Sequence, residues 1–97
     1  MSKNQYYVYI LTNKNRTTLY TGMTNNLQRR ILEHKNKVVS GFTNNYNLDH
    51  LVFVEAFETA DQAHENEHRL KKWRKEWKIN LINKNNPQWN DLSSQLF

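Results

Sequence analysis

Arg30 and His34 stand four residues apart in a stretch, from Leu27 to about Lys37, whose pattern reads as a helix. Side chains at that spacing share one face, with Cβ atoms about 5–6 Å apart. Leu27 and Ile31 form the adjoining apolar stripe, so the pair borders the core side of the helix and not open water. Arginine grips phosphate through paired hydrogen bonds, and histidine holds or moves a proton near neutral pH. The same pair is also common on plain helix surfaces. Glu67 is a sharper anomaly. Ala60, Ala63, Leu70 and Trp73 or Trp77 recur at helical spacing, and Glu67 falls inside that stripe. A carboxylate there is costly unless it is paired or holds a cation. It reads either as an ion pair with Arg30, Arg69 or Lys71, or as a metal ligand or general base.

His64-Glu65-Asn66-Glu67-His68 also spells H-E-x-x-H, in which two histidines one turn apart chelate zinc and the first glutamate acts as base. The surroundings argue against a zinc peptidase. Positions 64 and 68 flank the apolar stripe and do not lie on it. The acidic residues C-terminal to the motif are Glu76 and Asp91 alone, and a third ligand is needed.

The elements that must position these residues are legible. Tyr6 to Leu11 is an aromatic and β-branched run, the signature of a strand covered on both faces. Turn chemistry from Thr12 to Thr18 leads to a second strand, Leu19 to Thr24, so the two form a hairpin. Gly22 inside that strand marks a bulge or a close approach. Asn25 or Asn26 caps the first helix. Ser40 to Asn47 reads as a loop, and Leu51 to Phe57 as a third strand. Thr59 with Gln62 three residues on is a capping-box pattern, so a second helix starts near Ala60 and runs into a basic segment. Ile79, Leu81 and Ile82 carry a further helix that Pro87 stops. The tail, Gln88 to Phe97, is expected to be loosely docked through Trp89 and Leu92. The order is β-β-α-β-α-α, an α+β fold in a single domain spanning 1–97, with a core at about 6–85 and a tail at 86–97.

Composition bounds the function. The chain has 97 residues, 14 Lys and Arg, 9 Asp and Glu, and no cysteine. A chain this short buries roughly 60–70% of its unfolded surface, enough for one modest core and no second catalytic domain. Without cysteine there is no disulfide framework, thiolate metal site or cysteine nucleophile, which fits a reducing, cytoplasmic setting. Mean hydropathy is −0.97. No apolar run approaches the ~18 residues of a membrane span, and no signal peptide is visible. The net charge of +5 lies wholly between His68 and Lys78, where Arg69, Lys71, Lys72, Arg74, Lys75 and Lys78 face a lone acid, Glu76. Trp73 and Trp77 are interleaved there. Basic side chains beside aromatics suit a phosphate backbone and unstacked bases. The alternative is an amphipathic helix with its tryptophans packed and its lysines solvated. Four neutralised phosphates would give a slope of log K against log[salt] of about −3.6.

Tyr7-Val8-Tyr9, ten residues, then Tyr20-Thr21-Gly22 resembles the paired motif of the GIY-YIG nucleases. Arg30 stands eight residues after Gly22 and His34 four later, as in that family's first helix. Glu67 falls where the family places its metal-binding glutamate. Leu70 to Lys78 and the ending Asn86-Pro87-Gln88-Trp89-Asn90-Asp91-Leu92 resemble the small stand-alone bacterial branch, the UPF0213-like proteins. Tyr7 replaces the family's first glycine, and Val8 and Thr21 replace isoleucines. The family also uses a later asparagine, either Asn80 or Asn83 here.

The resemblance implies a small three-stranded antiparallel sheet flanked by helices. It further implies hydrolysis of nucleic-acid phosphodiesters with one divalent ion, Mg²⁺ or Mn²⁺, acting on DNA in preference to RNA, with no membrane and no obligatory protein partner. Glu67 would hold the metal and Arg30 the scissile phosphate. Tyr9 or Tyr20 would orient or deprotonate water, His34 would assist it, and Gly22 would allow close approach. A free tyrosine has a pKa about 10, so only ~0.1% is phenolate at pH 7. Lys71, Lys72, Arg74, Lys75 and Lys78 would bind the nucleic acid. The alternative is a module that binds branched, damaged or single-stranded nucleic acid without cutting it.

Overall fold

The computed structural model describes residues 5–36 and 47–96. Strand β1 (Tyr6–Thr12) lies at the centre of a three-stranded sheet, antiparallel to β2 (Leu19–Thr24) on one side and to β3 (His50–Phe57) on the other. Val8 to Thr12 are all buried, as expected of a run apolar on both faces. The register with β3 slips between Ile10, opposite Phe53, and Leu11, opposite Leu51, so Val52 is the extra residue of a bulge.

Each face of the sheet has its own core. Tyr9, Leu11 and Leu51 pack with Leu27 and Ile31 of helix α1 (Leu27–Lys35). Val8, Ile10, Val52 and Phe53 pack with Ala63 and Leu70 of α2 (Ala60–Lys72) and Ile82 of α3 (Lys75–Asn85). The fold is therefore α+β in the expected order, closed by a short 3₁₀ turn, Leu92–Gln95. Asn26 is the cap of α1, its side chain accepting the Arg29 N–H at 3.1 Å. Thr59 caps α2 by accepting the Gln62 N–H, also at 3.1 Å. The loop read over Ser40 to Asn47 lies outside the described residues except for Asn47. The first helix, expected to run to about Lys37, ends at Lys35, with the Asn36 N–H closing it on the Leu32 carbonyl at 2.9 Å. No helix among the described residues is long and apolar enough to cross a membrane.

The basic segment is not one helix. The chain leaves α2 at Trp73 (ψ 148°) and Arg74 (ψ 152°), both extended, and restarts at Lys75. No proline or glycine forces the break. Trp73 packs against the α2–α3 side of the core, and its N–H closes the end of α2 on the Leu70 carbonyl at 3.1 Å. Arg74 then caps α3 with its backbone alone. The two tryptophans therefore meet edge to face across a corner, with centroids 6.1 Å apart, instead of lining one stripe.

The tail is docked more firmly than two apolar anchors would manage. Trp89 and Leu92 do pack against the two cores. Polar groups add the rest. Asp91 takes Lys35 Nζ at 2.8 Å, the Leu51 N–H at 3.2 Å and the Ser93 hydroxyl at 2.6 Å. Burial raises the Asp91 pKa, but these bonds outweigh it and hold the carboxyl at about 2. Buried Asn86 donates to the carbonyls of Val52 at 3.1 Å and Asn90 at 2.9 Å.

Candidate active site

The hairpin register places Tyr9 directly opposite Gly22. Alternation then puts Tyr20 and Gly22 on the face of β2 that Tyr9 shares. A Cβ at position 22 would lie 2.5 Å from Tyr9 Cζ and Oη and 3.0 Å from Tyr20 Cε2. Gly22 is thus the close approach expected from the sequence, and what approaches is the Tyr9 phenol. His34, at the end of α1, completes the cluster. Tyr9 Oη and His34 Nε2 are 3.2 Å apart, across 25 residues of sequence. The Tyr20 ring lies 5.8 Å from His34 and 6.4 Å from Tyr9, centroid to centroid. Tyr9 and His34 are 1% and 5% exposed, and Tyr20 is half-buried.

Electrostatics assign the protons. Burial pushes the Tyr9 phenol well above the usual tyrosine range, aided by Tyr20, Glu67 and Glu33, while Arg30 pulls it down. Burial lowers His34, and Arg30 lowers it further against the opposing charge of Glu33. Both groups are therefore neutral, and the phenol O–H can donate to Nε2 in the imidazole tautomer that carries its proton on Nδ1. That atom is buried with no hydrogen-bond partner, as are Arg30 Nε and Thr21 Oγ1 among the described residues. Arg30 Nε sits 3.6 Å from Glu33 Oε1, too far for a hydrogen bond. Two of these three orphaned atoms belong to the helical pair singled out in the sequence, and such groups concentrate where a ligand or a reaction uses them.

Glu67 lies on α2, whose apolar stripe packs on the opposite face of the sheet from α1. Its charge nonetheless reaches the Tyr9 phenol. Its side chain is 15% exposed, with Lys71 Nζ 3.0 Å from Oε2 and His64 Nδ1 3.9 Å from Oε1. Of the ion-pair partners considered, Lys71 is the one found. With its lysine half exposed, such an i,i+4 pair is worth only about 0.3–0.5 kcal/mol, so a divalent ion can displace it. Mg²⁺ binds through one or two carboxylates and keeps waters and phosphate oxygens for its other positions, and one hard carboxylate fits that requirement. His64 and His68 are exposed, their rings stacked at 6.4 Å, and no cluster of three His, Asp or Glu ligands exists among the described residues. The H-E-x-x-H pattern therefore carries no zinc-peptidase geometry.

The single basic stripe read from the sequence divides. Arg69 and Lys72 border a concavity of about 600 Å³ with Phe57 and Gln62, on a flank of α2 turned away from Glu67. Lys71 stands at Glu67, and its charge, after burial, helps lower the Lys78 pKa. Lys75 and Lys78 line a hollow of about 300 Å³ with Thr17 and Thr18, and Lys75 Nζ donates to the Thr17 carbonyl. Arg74 lies over the Trp77 ring at 5.8 Å. The two candidate asparagines also separate: Asn83 Oδ1 accepts the Trp89 indole N–H at 2.6 Å, whereas Asn80 lines a groove beside Trp73 and Trp77. Asn86 and Asp91 stand in the sequence only as part of the ending that carries the resemblance, and their roles in organising the tail escaped that reading. Those roles depend on Lys35, Leu51 and Val52, which are distant in the chain.

An antiparallel sheet with a tyrosine from each hairpin strand over a glycine, and an arginine–histidine helix beneath, defines a class. The chain belongs to the GIY-YIG catalytic domain family, whose model matches residues 5–80. Its relatives are UPF0213 proteins. One from Clostridium perfringens is 41% identical over 76 residues, covering 78% of this chain and 81% of that protein. Another, from Syntrophus aciditrophicus, is 37% identical over 89 residues, covering 91% of this chain and 98% of its own length. The solution NMR structure of a UPF0213 protein from Bacillus halodurans superposes with a TM-score of 0.58 at 28% identity, covering 90% of this chain and 92% of that one.

Proposed function

We propose that this protein hydrolyses nucleic-acid phosphodiester bonds with water, assisted by one divalent ion, with DNA the preferred substrate. The observation that carries this reading is the buried Tyr9–His34 hydrogen bond beside Arg30, with the unused Arg30 Nε and His34 Nδ1. A raised phenol pKa makes a free Tyr9 phenolate expensive, but a relay avoids it. The attacking water gives its proton to Tyr9 as Tyr9 passes its own to His34 Nε2. The water oxygen bonds to phosphorus, the bond to the leaving oxygen breaks, and His34 ends as imidazolium. The leaving oxygen takes a proton from solvent. Arg30 binds the scissile phosphate and stabilises its developing charge. Tyr20, half-buried and on the edge strand, orients the incoming water. Glu67 would hold Mg²⁺ or Mn²⁺, which when bound supplies Lewis-acid stabilisation of the phosphate.

A second reading, a module that binds without cutting, draws on the 1% exposure of Tyr9 and on the Glu67–Lys71 ion pair. Incubating the protein with flap, branched and single-stranded oligonucleotides in Mg²⁺ or Mn²⁺ separates the two. Wild type is expected to cut at least one of them. Glu67→Ala is expected to lose cleavage by at least about a hundredfold, roughly the ~3 kcal/mol of a lost charge-stabilising group, while keeping its affinity. Full activity of Glu67→Ala would remove the proposed metal site, and binding without any cleavage by wild type would favour the module.

A further inference from the structure

Trp77 is 51% exposed, an unusual position for an indole. It is presented by the corner at Trp73–Arg74, which turns α3 away from the line of α2. With Trp73, Asn80, Leu81 and Lys84 it lines a groove of about 300 Å³. Trp73 is also a wall of the second hollow, of similar size, in which Lys75 and Lys78 sit beside Thr17 and Thr18. One side of Trp73 is thus aromatic, with an amide at hand, and the other is cationic. A nucleotide presents the same division, a flat π-face with polar edges and an anionic phosphate.

Charge and continuity favour this occupant over an apolar protein partner. Lys75, Lys78 and Lys84 have no ion pair among the described residues. Arg74 already stacks over Trp77, the arrangement that extends a platform for bases. Lys71 links the two regions, touching Glu67 at one end and acting on Lys78 at the other. A bound phosphate would relieve the repulsion between those two ammonium groups.

We infer that the groove beside Trp77 stacks an unpaired base while the Lys75–Lys78 hollow takes a backbone phosphate of the same strand, so that the protein selects nucleic acid with a single-stranded segment. This rests on the nucleic-acid reading above but not on cleavage. Duplex DNA keeps its bases stacked internally and gains nothing from the groove.

The test uses the full chain in EDTA, so that binding is read without cutting. A dT oligonucleotide of about ten nucleotides and a blunt hairpin duplex are titrated, following tryptophan fluorescence and the anisotropy of labelled nucleic acid. The dT strand is expected to quench tryptophan emission. Trp77→Ala is expected to weaken its binding about tenfold or more, with the duplex unchanged and Trp77→Phe largely restoring it. Lys78→Gln should reduce the salt slope for dT by about 0.7. Equal dT affinity for wild type and Trp77→Ala, or equal losses for dT and duplex, would overturn the stacking site. Failure of the nuclease reading would instead appear as intact, Trp77-dependent binding with no cleavage in Mg²⁺ or Mn²⁺.

Discussion

At the residue scale the proposed proton path is built from two groups that burial keeps neutral. Tyr9 is held above its usual pKa and His34 below, so both are neutral at neutral pH and the phenol can donate to the imidazole. His34 must be neutral to accept a proton. Cleavage should therefore be near its plateau at pH 7 and fall on the acid side, through an apparent pKa below the ordinary 6.5 of histidine, which a pH–rate profile measures. Stability follows the same sign. An unfolded chain binds a proton at His34 more readily than the folded one, so stability is full above about pH 6.5 and declines as pH falls towards the lowered folded value. In His34→Gln the acid limb should disappear together with most of the activity. A profile unchanged in shape would take His34 out of the path. Arg30, His34 and Glu67 could all be picked out from spacing. The choice between the tyrosines could not, because strands favour aromatics everywhere, and only the register against Gly22 singles out Tyr9.

At the scale of elements, the hairpin makes the site possible. Gly22 is required not by its own backbone but by the phenol lying across it. Gly22→Ala would place a methyl 2.5 Å from Tyr9 Oη. Overpacking of this kind costs about 1–3 kcal/mol, and here relief comes by swinging Tyr9 away from His34. The variant should melt lower, by about 4–8 °C per kcal/mol lost, and lose cleavage more completely than that destabilisation explains. A variant that melts lower yet cuts normally would separate Tyr9 from the chemistry. The strands and the two helix caps were legible because each is local: runs of aromatic and β-branched residues, Asn25 or Asn26 before one helix and Thr59 before another, with Asn26 the cap found. The corner at Trp73–Arg74 was not. It carries no glycine or proline, and it exists because the Trp73 ring seats in a core assembled from distant strands.

At the scale of the whole molecule, the net charge of +5 proves less uniform than its position in the sequence suggests. Helix periodicity puts Arg69 and Lys72 on one flank of α2, and Lys71, Lys75 and Lys78 lie along the side that begins at Glu67. A duplex bound there meets three lysines, so the expected slope of log K against log[salt] is about −2.7, shallower than the four-phosphate figure. Titrations between about 50 and 200 mM salt read it directly, and a slope near zero would remove this face from binding. The tail belongs to the same whole. Asp91 ties Lys35 of α1 to Leu51 of β3, a union of segments that no short pattern could announce. Water is the proposed nucleophile at a site containing two tyrosines, either of which has an oxygen that could attack phosphorus itself. A single turnover in ¹⁸O-labelled water on a flap or single-stranded oligonucleotide with a chiral phosphorothioate at the cut, in Mg²⁺ or Mn²⁺, decides the matter. One displacement by water inverts phosphorus, and two displacements through a phosphotyrosine retain it. Inversion is the predicted result, whereas retention, or no product from any of these substrates, would contradict it.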